Sequence, residues 1–252
     1  VVLLIINCKL AGESKYLQDL RNYFHIFEQI KTKVIMNKFQ ILIISIIISI
    51  LIPQYLFGQD ISLPIPDKTG GKPLMQALSE RHTTRNFTKD DLNLQQISNL
   101  LWAGWGINRP DEKRRTAPSA VNWQEIDVYV SMASGLYLYD AEANILKQIH
   151  NRDIRNLCGT QSFVGEAPLN LIFVADLSRC GKKEGDQIND SDLFMPYADC
   201  AFIGQNIYLY CASENLGCVI RGSIPKERLA PEMGLNPIQR ILLAQTVGIP
   251  AN

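Results

Sequence analysis

From residue 60 onward, apolar and polar positions alternate at two periods, and the periods change in a definite order. Leu74, Ala77 and Leu78 recur at helical spacing, which predicts a helix over 73–81 with Pro73 in its first turn. Leu94, Ile97, Leu100, Leu101 and Gly104 mark a second helix over 93–104. Residues 106–118 read as a polar loop with four basic residues. Ile126 to Met132 reads as a strand, and 136–140 with 145–149 as a hairpin. Residues 151–157 predict a short helix closed by Gly159, and the apolar run 169–175 a buried strand. Met195 to Leu216 predicts the longest helix, apolar nearly all round and ended by Gly217 as its cap. Such a helix has to be covered on every side, and a second subunit is the expected cover. A short strand over 218–220, a helix after Pro225 and a last strand over 241–247 complete one domain, residues 60–252. Helices and strands alternate without a strict β-α-β rhythm, so the fold class is α+β.

The N-terminal part has another pattern. Residues 39–59 carry no charge, and 41–52 are almost wholly apolar. Lys38 precedes the run, Pro53 ends it, and Phe57-Gly58-Gln59 leads into polar sequence. A short positive flank, an apolar core and a small residue near the exit predict a signal peptide over 36–59. The uncharged tract is also just long enough for an uncleaved membrane anchor. Both readings put the domain outside the cytoplasm, in the periplasm if the segment is cleaved. Met36-Asn37-Lys38 is a natural beginning for such a signal, so residues 1–35 are expected to be an upstream extension.

Composition narrows the function classes. Hydrophobic residues make up 46% of the chain, which fits a folded core rather than disorder. Lys plus Arg balances Asp plus Glu at 25 each, so no general attraction to nucleic acid follows. The six cysteines form no C-x-x-C pair, and with three histidines they give no metal-ligand spacing. Cys200 and Cys211 lie in one predicted helix, about 16 Å apart along its axis, too far for a disulfide. The cysteines are expected to be buried free thiols. The motifs of serine hydrolases, zinc peptidases and P-loop nucleotidases are absent.

Three segments carry candidate chemistry. Arg81-His82-Thr83-Thr84-Arg85 ends the first helix, and two guanidinium groups four residues apart can close on one phosphate. The same residues also fit a solvated basic helix end. Pro118-Ser119 reads as a helix start, followed by Asn122 and Gln124, whose amides can pair with a ring edge of mixed donors and acceptors. An ordinary capped turn anchored by Trp123 fits equally. Arg221-Gly222 ends a strand, where Gly222 lets backbone N–H groups approach a ligand.

The order R-H-T-x-R, P-S-x-x-N-x-Q, a long helix, L-G-x-x-x-x-G and a terminal T-V-G-x-P resembles the nitroreductase family, from about Leu63 to Pro250. Within that family it is most similar to the branch that includes thiazoline and oxazoline dehydrogenases. The resemblance implies a mixed or antiparallel sheet flanked by helices, a homodimer, and FMN across the dimer seam. It assigns the FMN phosphate to Arg81 and Arg85, and the ring and ribityl chain to His82 and Thr83. Pro118, Ser119 and Asn122 would come from the partner subunit, with Gln124 a neighbour. Arg221 and Gly222 would bring backbone N–H groups to the flavin ring, with the Arg221 side chain left unassigned. Several members carry further basic phosphate ligands after T-V-G-x-P. Pro250-Ala251-Asn252 offers none, and Arg109, Lys113 and Arg114 are the candidates to replace them.

The function so implied is an FMN-dependent oxidoreductase that moves hydride equivalents from a reduced donor such as NAD(P)H to a small organic acceptor, a nitro or quinone compound. Two alternatives stand beside it: a substrate-oxidising flavin dehydrogenase of azoline type, and a binding protein that kept the fold and lost the flavin. No side chain is singled out as catalytic, because the cofactor carries the chemistry in this family. Tyr197 and Asp199 are expected to belong to the start of the long helix.

Overall fold

A computed structural model describes residues 21–29, 40–41, 43–46 and 59–251. The chain divides into two units, Val1–Phe57 and Gly58–Asn252. In the first unit residues 21–29 are helical. Of the predicted signal segment only residues 40–41, 43–46 and 59 are described, the first six of them helical; the rest lies outside the described residues. No helix among the described residues is long and apolar enough to cross a membrane.

The second unit is built on a seven-stranded sheet. Its strands are β1 (Ile61–Ser62), β4 (Ile126–Met132), β5 (Gly135–Asp140), β6 (Ile145–His150), β7 (Leu169–Asp176), β8 (Gly217–Arg221) and β9 (Gln239–Gly248). Their order is β1-β6-β5-β4-β7-β9-β8, and every neighbouring pair is antiparallel. A separate two-stranded hairpin joins β2 (Ile107–Arg109) to β3 (Arg114–Arg115). The helices are α1 (Leu74–Glu80), α2 (Leu94–Trp105), α3 (Phe163–Glu166), α4 (Asp190–Ser213) and α5 (Lys226–Glu232).

The sheet is covered on both faces because side chains on a strand alternate in direction. On β7, Leu169, Leu171, Phe173 and Ala175 enter the larger core with Leu100 and Leu101 of α2 and Ile203 and Ile207 of α4. Ile172 and Val174 of the same strand enter a second core with Val164 of α3 and Leu229 of α5. A central strand buried on both sides reads as a nearly continuous apolar run, and 169–175 is apolar at every position but the buried Asn170. Helix α2 starts where Asn93 and Gln96 form a reciprocal capping box.

Several predicted boundaries change. The stretch 151–157 forms only a single 3₁₀ turn, Arg155–Leu157. The loop 106–118 contains the β2–β3 hairpin, closed by a 3₁₀ turn at Pro110–Glu112 and a left-handed Lys113. Helix α4 starts five residues before the predicted Met195, where Asn189 and Asp192 make a second capping box. Pro196 is therefore inside the helix rather than at its entrance. Gly217 does not cap α4: the helix ends at Glu214, Asn215 makes the left-handed turn, and Gly217 opens β8. The all-apolar reading of α4 holds for one broad face. Cys200, Ile203, Ile207 and Cys211 are buried, while Phe194, Met195, Tyr197 and Phe202 are exposed. The described cysteines are free thiols, four buried and Cys180 half-buried.

Candidate active site

Two of the three candidate segments meet at the β8 end of α4. The chain leaving α1 runs beside β8, where the Thr84 amide donates to the Cys218 carbonyl at 3.0 Å. This approach needs Gly217, since a Cβ there would stand 2.8 Å from Thr84 Cγ2. Tyr208 of α4 couples the two segments. Its hydroxyl accepts from the Ile220 amide at 3.0 Å and shares a hydrogen bond of 3.1 Å with Thr83 Oγ1. The Arg81 guanidinium lies over the Tyr208 ring at 5.3 Å. This arrangement fixes Arg81 by a cation–π contact and leaves its N–H groups unspent. Among the described residues, no carboxylate pairs with Arg81 or Arg85. Arg85, His82 and Thr83 are exposed beside it, with His82 Nδ1 2.8 Å from the Glu80 carbonyl.

Arg221 and Gly222 lie at the end of β8, but the two differ in accessibility. The Arg221 side chain is 6% exposed and turns into the sheet. It donates to the Cys158 carbonyl, to Asn170 Oδ1 at 2.7 Å and to Thr246 Oγ1 at 3.1 Å. Burial lowers its pKa to about 10. Only the backbone of Arg221 is left for a ligand. Gly222 is exposed, and a Cβ added there would touch only Leu243 at 3.7 Å, so its surroundings are open.

The second segment sits elsewhere on α4. Ser119 Oγ accepts from the Gln124 amide at 2.8 Å and donates to Glu125 Oε2 at 3.2 Å. The Ala120 amide donates to Asp199 Oδ2 at 2.8 Å. Asp199 and Tyr208 are nine residues apart on one helix, about 13 Å along its axis. Within one chain the structure therefore brings Arg81, Thr83 and the β8 end together and keeps Pro118, Ser119, Asn122 and Gln124 apart from them. Pro118 and Asn122 are exposed. Gln124 is already committed, accepting from Arg115 Nε at 2.8 Å and donating to the Lys113 carbonyl at 3.0 Å and to Asn122 Oδ1 at 3.2 Å. The expected helix start at Pro118 is a 3₁₀ turn, Ala120–Asn122, with left-handed residues at Val121, Asn122 and then Gln124.

Beneath this loop lies a pair of acids. Glu125 is fully buried and Asp199 is 3% exposed. Burial and the Asp199 carboxyl push the Glu125 pKa up to about 7. Glu125 Oε1 is buried without a hydrogen-bond partner, and the raised pKa favours a protonated Glu125 that can donate. Asp199 is thus a buried loop anchor inside α4, not part of the helix start. Tyr208 and Glu125 escape a reading by motif: each is an isolated side chain whose neighbours come from distant sequence.

The basic hairpin does not join Arg81 and Arg85. Lys113 pairs with Glu142 at 2.7 Å, Arg114 with Glu112 at 2.7 Å, and Arg109 donates to the Arg115 carbonyl at 3.2 Å. Arg109 and Arg114 instead line a cavity of about 200 Å³ with Arg115, Ser119, Asn122 and Gln124. Among the described residues no group of three or more His, Cys, Asp or Glu side chains could hold a metal ion.

The domain is thus an antiparallel sheet packed between helices, with a turn carrying two arginines against its edge strand β8. The chain matches the model of the nitroreductase family over residues 78–249, and it belongs to that family. A crystal structure from Ralstonia eutropha JMP134, assigned as a nitroreductase, is 41% identical. It covers 77% of this chain and 91% of its own, with a TM-score of 0.71. A Methanocaldococcus jannaschii protein, also assigned as a nitroreductase, is 26% identical over 177 residues, 66% of this chain and 86% of that protein. A Desulfovibrio desulfuricans nitroreductase structure in complex with FMN is 21% identical and shares the fold. It covers 72% of this chain and 88% of its own, with a TM-score of 0.51.

Proposed function

We propose that the protein is an FMN-dependent oxidoreductase that passes hydride equivalents from NAD(P)H to a small organic acceptor, and that it works as a homodimer. The observation that carries this reading is the Arg81–Arg85 turn. It presents two guanidinium groups without carboxylate partners among the described residues, one held over Tyr208, beside an open strand end at Gly222. A phosphate monoester is the anion such planar forks fit best. Thr83 and His82 are exposed next to them for the ribityl chain and ring, and the backbone at Gly222 is free to approach the ring edge.

Two features support the dimer. Phe194, Met195, Tyr197 and Phe202 form an exposed apolar surface on α4, and burying it on a second copy is favourable. The separation of Ser119 and Asn122 from Tyr208 along α4 means that one chain does not close the site, while a second copy brings its own 118–122 loop. When bound, FMN supplies a ring that takes up and gives off hydride. The residues of this chain hold the anionic tail, orient the ring against β8 and keep the loop rigid through the Glu125–Asp199 pair. Residues 36–59 favour export, and an exported enzyme would meet a donor other than cytoplasmic NAD(P)H; cell fractionation separates the two cases.

The test is an FMN titration of the purified chain and of an Arg81→Ala/Arg85→Ala variant. Losing two charge-assisted anchors should weaken FMN by at least a hundredfold, from about 1.5 kcal/mol or more per bond. A double variant that keeps its flavin through dialysis removes the arginines from the site.

A further inference from the structure

We propose that the cavity bounded by Arg109, Arg114, Arg115, Ser119, Asn122 and Gln124 binds the anionic group of the acted-on molecule, so that the substrate is a small carboxylate or phosphate compound. This inference rests on the flavin reading above, and it is carried by a separate set of side chains. Three arginines are among the residues that line one cavity of about 200 Å³. Like charges gathered in one place repel, so the cluster persists only because the fold imposes it. The imposing element is the β2–β3 hairpin, with Pro110 starting its 3₁₀ turn and Lys113 in the left-handed conformation.

The counter-ions inside the protein are spent elsewhere. Arg115 is half-buried, lies 4.8 Å over the Trp105 ring and donates to Gln124 Oε1 and to the Trp105 carbonyl. Among the described residues its Nη2 makes no hydrogen bond and no carboxylate pairs with it. Asp127 and Asp140 act on it only at a distance, because Arg179 holds Asp127 at 2.8 Å and Lys147 holds Asp140 at 2.6 Å. Arg109 has no carboxylate partner among the described residues, and its one hydrogen bond goes to a backbone carbonyl. Arg114 pairs with Glu112 where both are about half exposed, a contact that contributes little and yields readily to a ligand. Burial meanwhile lowers the Arg115 pKa by more than Tyr139, Asp127 and Asp140 raise it.

The rest of the lining is uncharged. Asn122 offers a neutral polar group, Ala117 and Pro118 add an apolar surface for the body of the ligand, and the Ser119 hydroxyl is already spent on Gln124 and Glu125. Gln124 contributes less, since its amide is already bound to Arg115 and Lys113. The same loop carries the residues that the seam between two copies would set beside the flavin, so a group held here is positioned for reduction.

Isothermal titration calorimetry on the full chain as purified tests this directly, with benzoate, phenyl phosphate and the neutral benzyl alcohol as probes. The expected result is binding of an anion with an affinity that falls with salt, and no binding of benzyl alcohol. The tighter of benzoate and phenyl phosphate decides between carboxylate and phosphate. An Arg109→Gln/Arg114→Gln variant, altered only at exposed positions, should bind that anion at least tenfold more weakly. In turnover, its kcat/KM ratio for 4-nitrobenzoate over 4-nitrobenzyl alcohol should fall by a similar factor. Equal binding of charged and neutral probes, or anion binding that survives the double substitution, overturns the proposal. A flavin-containing protein with no anion preference refutes this inference and leaves the flavin reading intact. A flavin-free protein with arginine-dependent benzoate binding refutes the flavin reading and leaves the anion site standing.

Discussion

Replacing Arg221 by Met removes a buried cation and keeps much of its bulk. The wild-type side chain spends its donors on the Cys158 carbonyl, Asn170 Oδ1 and Thr246 Oγ1, and among the described residues no carboxylate pairs with it. Each charge-assisted bond contributes about 1.5–3 kcal/mol, so three contribute about 4.5–9 kcal/mol. Against this stands the cost of burial, which lowers the guanidinium pKa from 12.5 to about 10 and corresponds to roughly 3 kcal/mol. The net is a loss of about 1.5–6 kcal/mol on substitution. Part of it is the Cys158 carbonyl left without its donor, whereas Asn170 Oδ1 keeps the Thr246 hydroxyl at 2.6 Å. The space is also tight: a Cβ on Gly159 would sit 2.3 Å from Arg221 Nη1, so the side chain is enclosed as well as bonded. Urea unfolding followed by circular dichroism at pH 7 measures the difference. A loss below about 1 kcal/mol would refute the reasoning, because the three bonds would then be no better than those a Met environment replaces. Since the side chain faces into the sheet, the folded variant should keep its FMN affinity. Loss of FMN without loss of stability would move Arg221 into the ligand site.

Other predictions concern the loop and its acids. Glu125 has its folded-state pKa raised from 4.5 to about 7, so the folded protein retains a proton that the unfolded chain releases in that interval. The stabilisation is full below about pH 4.5 and is lost as pH rises through 7, by on the order of 3 kcal/mol. Urea midpoints at pH 5, 6, 7 and 8 should show this slope, and Glu125→Gln, neutral at every pH, should flatten it; an unchanged slope excludes Glu125 as its source. Val121 is β-branched, 84% exposed and left-handed at φ 51°. Val121→Gly should therefore stabilise the protein, by about 1 kcal/mol in the same assay, and a destabilised variant would show that the side chain has a contact beyond this chain.

Much of the architecture was legible because the sheet writes its burial into the sequence. The run 169–175 is apolar but for the buried Asn170, since both faces of β7 are covered, whereas 126–132 carries a half-buried Asp127 among its apolar positions on β4. Helix α2 was found by its periodic leucines. The errors fall where a polar capping residue or a backbone conformation, rather than periodicity, sets the boundary. Asn189 and Asp192 begin α4 ahead of its apolar stretch, and Asn215, not Gly217, turns the chain at its end. At the site, only the family resemblance grouped Arg81, Thr83 and the β8 end, because each segment alone also fits an ordinary helix end or strand end; in the structure they lie side by side through Thr84, Cys218 and Tyr208. The linking residue, Tyr208, looks like any aromatic on a buried helix, and nothing in its local sequence marks its hydroxyl as the bridge between Thr83 and Ile220. The Arg221 side chain was unassignable from sequence because its partners, Cys158, Asn170 and Thr246, come from three separate segments.

The central claim is that an FMN phosphate is gripped by Arg81 and Arg85 in a seam that two copies of the chain complete. Sedimentation of the purified, FMN-equilibrated protein, recorded at a visible flavin wavelength, tests it in one run. The account predicts flavin absorbance that travels with a species of twice the chain mass, at one flavin per chain. A species of single-chain mass that sediments without visible absorbance, while FMN stays at the meniscus, would contradict it.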